Sequence, residues 1–172
     1  MNYLQNKTAI ITGASSGLGA ASARALSEQG VRIVAAALDQ QGLDAIVSEL
    51  KGKGGAAVGR VSDVTNPEDM KALAQFAQDA FGSVDILINN AGLMLFSNWV
   101  DLATDDWEKM INVNIKGYLH GIAAVLPFML KQQSGQILNM DSVAGHQVGP
   151  AAGIYSATKF FEIGRASCRE RV

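Results

Sequence analysis

Three side chains late in the sequence, Ser142, Tyr155 and Lys159, have the chemistry of a proton-transfer group. A phenol is a poor acid or base near neutral pH because its free pKa is about 10, and a nearby cation is what makes phenolate accessible. Tyr155 and Lys159 are four residues apart, so on a helix they share a face and the ammonium can stabilise a phenolate through space. An ordinary surface Tyr–Lys pair has the same spacing. Ser142 stands just after an apolar run, where a serine holds a substrate oxygen or caps a turn. Asn114 falls inside a long helical stretch, where asparagine is a mediocre helix former and is often a satisfied buried amide.

A second group of residues suits phosphate rather than proton chemistry. TGASSGLG, Thr12 to Gly19, lies between an apolar run and an amphipathic stretch, the place where backbone N–H groups and a helix dipole can receive a pyrophosphate. Its G-x-x-x-G-x-G spacing departs from the general G-x-G-x-x-G dinucleotide pattern, and a plain strand-to-helix turn explains the glycines equally well.

The elements that must position these groups alternate. TAIIT (Thr8 to Thr12), VRIVAAA, AAVGRV, VDILINNAG and GQILNM (Gly135 to Met140) read as five buried strands. Between them the spacing predicts four helices. The first carries an apolar stripe of Leu18, Ala21, Ala25 and Leu26; the second is capped by Asp39. The third has a Thr65/Glu68 capping box, Pro67 in its first turn, and a stripe of Met70, Leu73, Phe76, Ala77 and Ala80. The fourth is capped by Thr104 and runs to about Lys131. Strands joined by such helices run parallel with right-handed crossovers, which implies a single α/β domain with a doubly wound, Rossmann-type sheet.

Composition narrows the function classes. The chain has 172 residues, 48% hydrophobic and 17% charged, with a net charge of −2, so no basic field invites nucleic acid. No segment reads as a signal peptide or a membrane span, and the expected compartment is the cytoplasm. The lone Cys168 excludes an internal disulfide, and the distant His120 and His146 suggest no metal.

Taken together, Thr12–Gly19, Asp63-Val64, Asn89-Asn90-Ala91-Gly92, Asn114, Ser142 and Tyr155-Ser-Ala-Thr-Lys159 resemble, in order and spacing, the short-chain dehydrogenase/reductase family. NAGLM, INVNIKGYLHGIAAVLP and SVAGHQVGP look most like its 3-hydroxy acid or serine dehydrogenase branch. The resemblance implies an NAD(P)-dependent oxidoreductase acting on the alcohol or carbonyl of a small molecule. It assigns the proton exchange to Tyr155, the nicotinamide ribose and phenolate stabilisation to Lys159, the substrate oxygen to Ser142, and a helix kink holding a relay water to Asn114. It places Gly13, Ser15, Ser16, Gly17, Leu18 and Gly19 around the phosphates, and Asp63, Val64, Asn90, Ala91 and Gly92 along the adenosine. Asp141 stands where the family commonly has a second serine. Ala37 stands where NAD-using members carry an acid and Leu38 where NADP-using members often carry arginine; the open space at Ala37 favours NADP, with NAD as the alternative. A strand order of 3-2-1-4-5 and a homo-oligomer, a dimer or tetramer, are also implied. Non-catalytic alternatives are a nucleotide-binding regulator or a structural oligomer subunit.

The family pattern continues after Lys159 with more helix and with strands six and seven. IGRASCRERV departs from it: it brings Gly164, three arginines and no apolar stripe, and written as codons it matches a common sequencing-library adapter. Residues 1–161 are therefore expected to be an incomplete catalytic domain, and 162–172 a non-native tail. With strands six and seven missing, the fragment is expected to be inactive.

Overall fold

The computed structural model describes residues 3–166, and the side chains of residues 3–162. Five parallel strands, β1 (Thr8–Thr12), β2 (Arg32–Ala37), β3 (Ala57–Val61), β4 (Ile86–Asn89) and β5 (Gln136–Asn139), lie in the order β3-β2-β1-β4-β5. That is the expected 3-2-1-4-5 order. Ile10 pairs in register with Val34 on one side and Leu87 on the other, which sets β1 at the centre of the sheet.

Each face of the sheet carries its own core. On one side α1 (Gly17–Glu28) and α2 (Gln40–Gly52) close over Ile11, Ile33, Ala35, Leu43, Ile46 and Leu50. On the other, α3 (Pro67–Phe81) and α5 (Gly117–Gln132) close over Ile10, Val34, Leu73, Leu87, Val125 and Met129. Each fully buried aliphatic side chain contributes about 1.5–3 kcal/mol of burial free energy, so both layers add to the stability of the sheet.

Four local expectations are corrected. The stripe read for α1 is exposed at Leu18, Ala21 and Ala25; the buried face is Gly19, Ala20 and Ala23, because only small residues fit where α1 lies close on β1 and β2. The cap of α3 is Asn66, whose Oδ1 accepts from the amides of Glu68 and Asp69, while Thr65 turns back to donate its backbone amide and hydroxyl to Asp63. Thr104 is the first helical residue rather than the cap, which is Ala103. The long fourth helix is three pieces: α4 (Thr104–Met110), a π-helical stretch at Ile111–Lys116, and α5.

Within the Thr104–Gln132 run one 18-residue window reaches a mean hydropathy of 1.3, which by length and composition suits a membrane span, a stretch the sequence reading did not single out. Its buried residues Tyr118, Ala124, Val125 and Met129 belong to the protein core, which explains the hydropathy without a bilayer. After a short 3-10 turn at Val143–Gly145 comes α6, Gly153–Ala166, which runs beyond Phe161 and buries Glu162. One interior glycine costs a helix only about 1 kcal/mol, too little to end it at Gly164. Cys168 and the last two arginines lie outside the described residues.

Candidate active site

A crevice of about 510 Å³ opens at the carboxyl ends of β1, β2 and β4, where the glycine turn, the Ser62–Val64 segment and the turn after β4 face one another. This is where a doubly wound sheet reverses direction and receives its ligand. Gly17 lines it at φ +53°, a backbone conformation that favours glycine, and the space beside its α-carbon is open. Gly19 is constrained by contact instead: a Cβ there would collide with the Gly13 carbonyl and with Asn90. Ser16 has extended backbone angles at the start of α1 and makes no side-chain cap, so the first-turn amides of a 12-residue helix meet the crevice uncovered by a side chain.

The turn after β4 is clipped to the glycine turn. The Thr12 hydroxyl accepts from the amides of Asn90 and Ala91, both at 3.0 Å, while Asn90 Nδ2 donates to the carbonyls of Thr12 (2.9 Å) and Gly13 (3.2 Å). Gly13, Ser15, Ser16, Gly17, Leu18, Asp63, Val64, Asn90, Ala91 and Gly92 all line the crevice, and Gly19 packs behind it. The Asp63 carboxylate also caps its own turn, accepting from Thr65. Ser62 was missed by sequence reading. It lines the crevice 3% exposed, and its Oγ has no protein partner. At the β2 end the wall is Ala37, Leu38 and Asp39; the Asp39 carboxylate caps α2, and it and Ser15 both stand close to the α-carbon of Gly42. Among the described residues, two carboxylates and no lysine or arginine line this crevice.

At the inner end the crevice meets the proton-transfer residues. A Cβ on Gly92 would lie 3.9 Å from Lys159 Nζ and 3.4 Å from Asn114 Oδ1. Lys159, 4% exposed, donates to the Met140 carbonyl at 2.7 Å and to the Tyr118 hydroxyl at 3.4 Å. Its ammonium is 5.9 Å from the centre of the Tyr155 ring, so the two act through space rather than through a direct hydrogen bond. Burial pushes the Lys159 pKa down from the ordinary lysine value, against the carboxylates of Glu162 and Asp141, which pull it up. Ser142 Oγ accepts from the Ala144 amide at 3.1 Å, capping the 3-10 turn, and its own proton remains to donate. Asn114 is fully buried in the π-helical stretch. It exchanges hydrogen bonds with the Leu93 backbone, both at 2.9 Å, and donates to Thr158 at 3.1 Å. The amide lies in the π-helical stretch and joins the turn after β4 to α6. Thr12, which opens the glycine-turn motif, and Tyr118 and Thr158, which the sequence reading gave no role, complete the site.

A family model described as short chain dehydrogenase matches residues 7–169. The chain belongs to the short-chain dehydrogenase family. An uncharacterized oxidoreductase of Staphylococcus saprophyticus is 45% identical over 160 residues, which cover 93% of this chain and 64% of that protein. One of Listeria monocytogenes is 46% identical over 157 residues, 91% of this chain and 63% of that protein. The chain thus spans just under two thirds of the length of these relatives. Among solved structures of short-chain dehydrogenases, one from Burkholderia phymatum in complex with NAD superposes with a TM-score of 0.93 at 36% identity, covering 97% of this chain and 60% of that one. An NAD+-bound xylitol dehydrogenase gives 0.91 at 30% identity, covering 95% and 63%.

Proposed function

We propose that the chain carries the coenzyme-binding and proton-transfer parts of an NAD(P)-dependent oxidoreductase for a small secondary alcohol or the matching carbonyl. The observation that carries this reading is the continuity of the crevice: its phosphate-side turn and its Lys159 end are joined through Gly92. Gly13, Ser15, Ser16, Gly17, Leu18 and Gly19, with the α1 amides, would receive the pyrophosphate. Asp63, Val64, Asn90, Ala91 and Gly92 would flank the adenosine, with the partnerless Ser62 hydroxyl beside them. The bound nicotinamide supplies hydride acceptance and donation.

The remaining chemistry belongs to the side chains. In the oxidation direction, Tyr155 as phenolate takes the proton from the substrate hydroxyl as the carbinol hydrogen leaves as hydride, and the carbonyl forms. Ser142 donates its hydroxyl proton to the same substrate oxygen. Lys159 holds positive charge near the phenolate and offers a donor toward the ribose. Leu93 to Trp99, with Met94, Phe96 and Trp99 exposed, supplies an apolar wall; 3-hydroxy acids are the first substrates to assay.

For the coenzyme, the sequence favours NADP with NAD as the alternative, and the lining of the crevice makes NAD the one to test first. The Asp39 carboxylate at the ribose end, without a lysine or arginine in the lining, disfavours a 2′-phosphate and suits ribose hydroxyls. The working enzyme is proposed to be cytoplasmic and homo-oligomeric, the latter supported by exposed Leu119, Leu130 and Phe160 on α5 and α6.

Nicotinamide fluorescence titration tests the binding arm, with NADH expected to bind more tightly than NADPH. Absorbance assays of the full-length enzyme with 3-hydroxy acids, serine and simple carbonyls test the chemistry, where Tyr155→Phe is expected to lower turnover by about 10²-fold or more. Absence of nucleotide binding, or full turnover in Tyr155→Phe, overturns the reading.

A further inference from the structure

We propose that Tyr118 is the positioning residue for Lys159, fixing the ammonium at the inner end of the crevice through both its hydroxyl and its ring face. The inference rests on the reading of Lys159 as part of the proton-transfer group. Tyr118 is 1% exposed and its hydroxyl donates to the Met140 carbonyl at 3.1 Å. Lys159 Nζ donates to that same carbonyl at 2.7 Å and to the Tyr118 hydroxyl at 3.4 Å, so carbonyl, phenol and ammonium form a closed three-member set. A carbonyl has two lone pairs and accommodates both donors. The ammonium also lies 5.2 Å from the centre of the Tyr118 ring and 5.9 Å from that of Tyr155, placing both rings within cation–π range.

Lysine has four rotatable side-chain bonds and no intrinsic preference for one position, whereas tyrosine has two χ angles and here a fixed base. That base is fixed by the sheet: Asn89 Nδ2 donates to the Tyr118 carbonyl at 3.3 Å and to Asn139 Oδ1 at 2.9 Å, tying α5 to β4 and β5. Two of the three ammonium donors are thereby engaged by Met140 and Tyr118. The third is left for the Gly92 side, where the crevice ends. The charged and titratable groups around this ammonium are Glu162 on α6, Asp141 after β5 with His146 at 3.9 Å from its carboxylate, and the two tyrosines. The two carboxylates act on the ammonium through their charge, whereas the Tyr118 hydroxyl and the Met140 carbonyl meet it at hydrogen-bond distance and so set its position.

The test tracks the titration of Lys159 in the 172-residue chain by NMR of ¹³Cε-labelled lysines, the resonance being identified with Lys159→Gln. The Tyr118 hydroxyl accepts from the charged amine and so favours it. Tyr118→Phe, which keeps the ring and the volume, should lower the Lys159 midpoint by about half a unit, and Tyr118→Leu by more. Val125→Ala, a core truncation on the same helix, should leave it in place. An unmoved midpoint in Tyr118→Phe overturns the proposal whatever Tyr118→Leu does, and an equal shift in Val125→Ala overturns it as well. The titration needs no coenzyme, so a parallel NADH fluorescence titration separates the two readings. A shifted midpoint without NADH binding supports the Tyr118 role and rejects the oxidoreductase; NADH binding with an unmoved midpoint does the reverse.

Discussion

β1 is buried at all five of its positions, whereas β5 alternates between exposed and half-buried residues, and the two strands deliver opposite ends of one crevice. At the β1 end the site is made of backbone: glycines, helix amides and carbonyls clipped by Thr12 and Asn90. At the β5 end it is made of side chains reaching a few carbonyls, those of Met140, Leu93 and Tyr155. The difference separates two kinds of vulnerability. Damage at the first end should remove binding and fold together, and damage at the second should remove chemistry while the fold persists.

The largest expected effect breaks the first end. Gly19→Val places a branched side chain against the Gly13 carbonyl and Asn90, and should cost about 3 kcal/mol or more, with loss of NADH binding. Thermal unfolding with nucleotide titration measures both; normal binding in this variant would abolish the distinction between the two ends.

Asn114→Leu is intermediate, because it removes three hydrogen bonds and leaves the half-buried Leu93 amide and carbonyl without their side-chain partner. A loss of about 2–4 kcal/mol is expected in denaturant unfolding, with the glycine turn's nucleotide affinity falling less than the stability.

The smallest effect lies far from the crevice. Asp85 accepts from Ser83 (2.7 Å), the Thr8 amide (2.9 Å) and Lys7 (3.0 Å), joining the chain just ahead of β4 to the start of β1. Burial acts to raise its pKa, yet the hydrogen bonds from Ser83, Thr8 and Lys7 outweigh burial and hold it below the ordinary carboxylate value. A depressed folded pKa gives stability that is complete above the unfolded value, about 4, and is lost as pH falls through the folded one. Asp85→Asn should therefore cost about 1–2 kcal/mol at neutral pH, and the gap from the parent should narrow below pH 4. A pH series of melting curves checks the sign.

The extent of β1 and the Asp39 cap were legible from local chemistry, an apolar run and a capping oxygen, whereas the strand order was legible only through the family resemblance. The α1 face was misread because the stripe was phased on Leu18 and Leu26, which carried Ala21 and Ala25 with it, whereas close packing on the sheet selects the neighbouring face of Gly19, Ala20 and Ala23. Asn66 displaced Thr65 as a cap because Asp63 competes for the threonine hydroxyl, a contact settled only by the turn's geometry. Tyr118 was illegible for another reason. It lies 22 residues from Met140 and 41 from Lys159 in sequence, and no spacing rule reaches across a sheet.

The π-helical stretch at Ile111–Lys116 sets the helical phase of α5 relative to α4. Each added residue turns a helix by about 100°, so a wider turn re-aims every side chain beyond it relative to those before. The three pieces thus serve two sets of neighbours, with α4 packed beside α6, and α5 laid against α3 and β4. An unbroken α-helix through the same 29 residues would carry a single phase from end to end, and could not present Met110 to Leu95 and Val125 to the sheet core in their present relation.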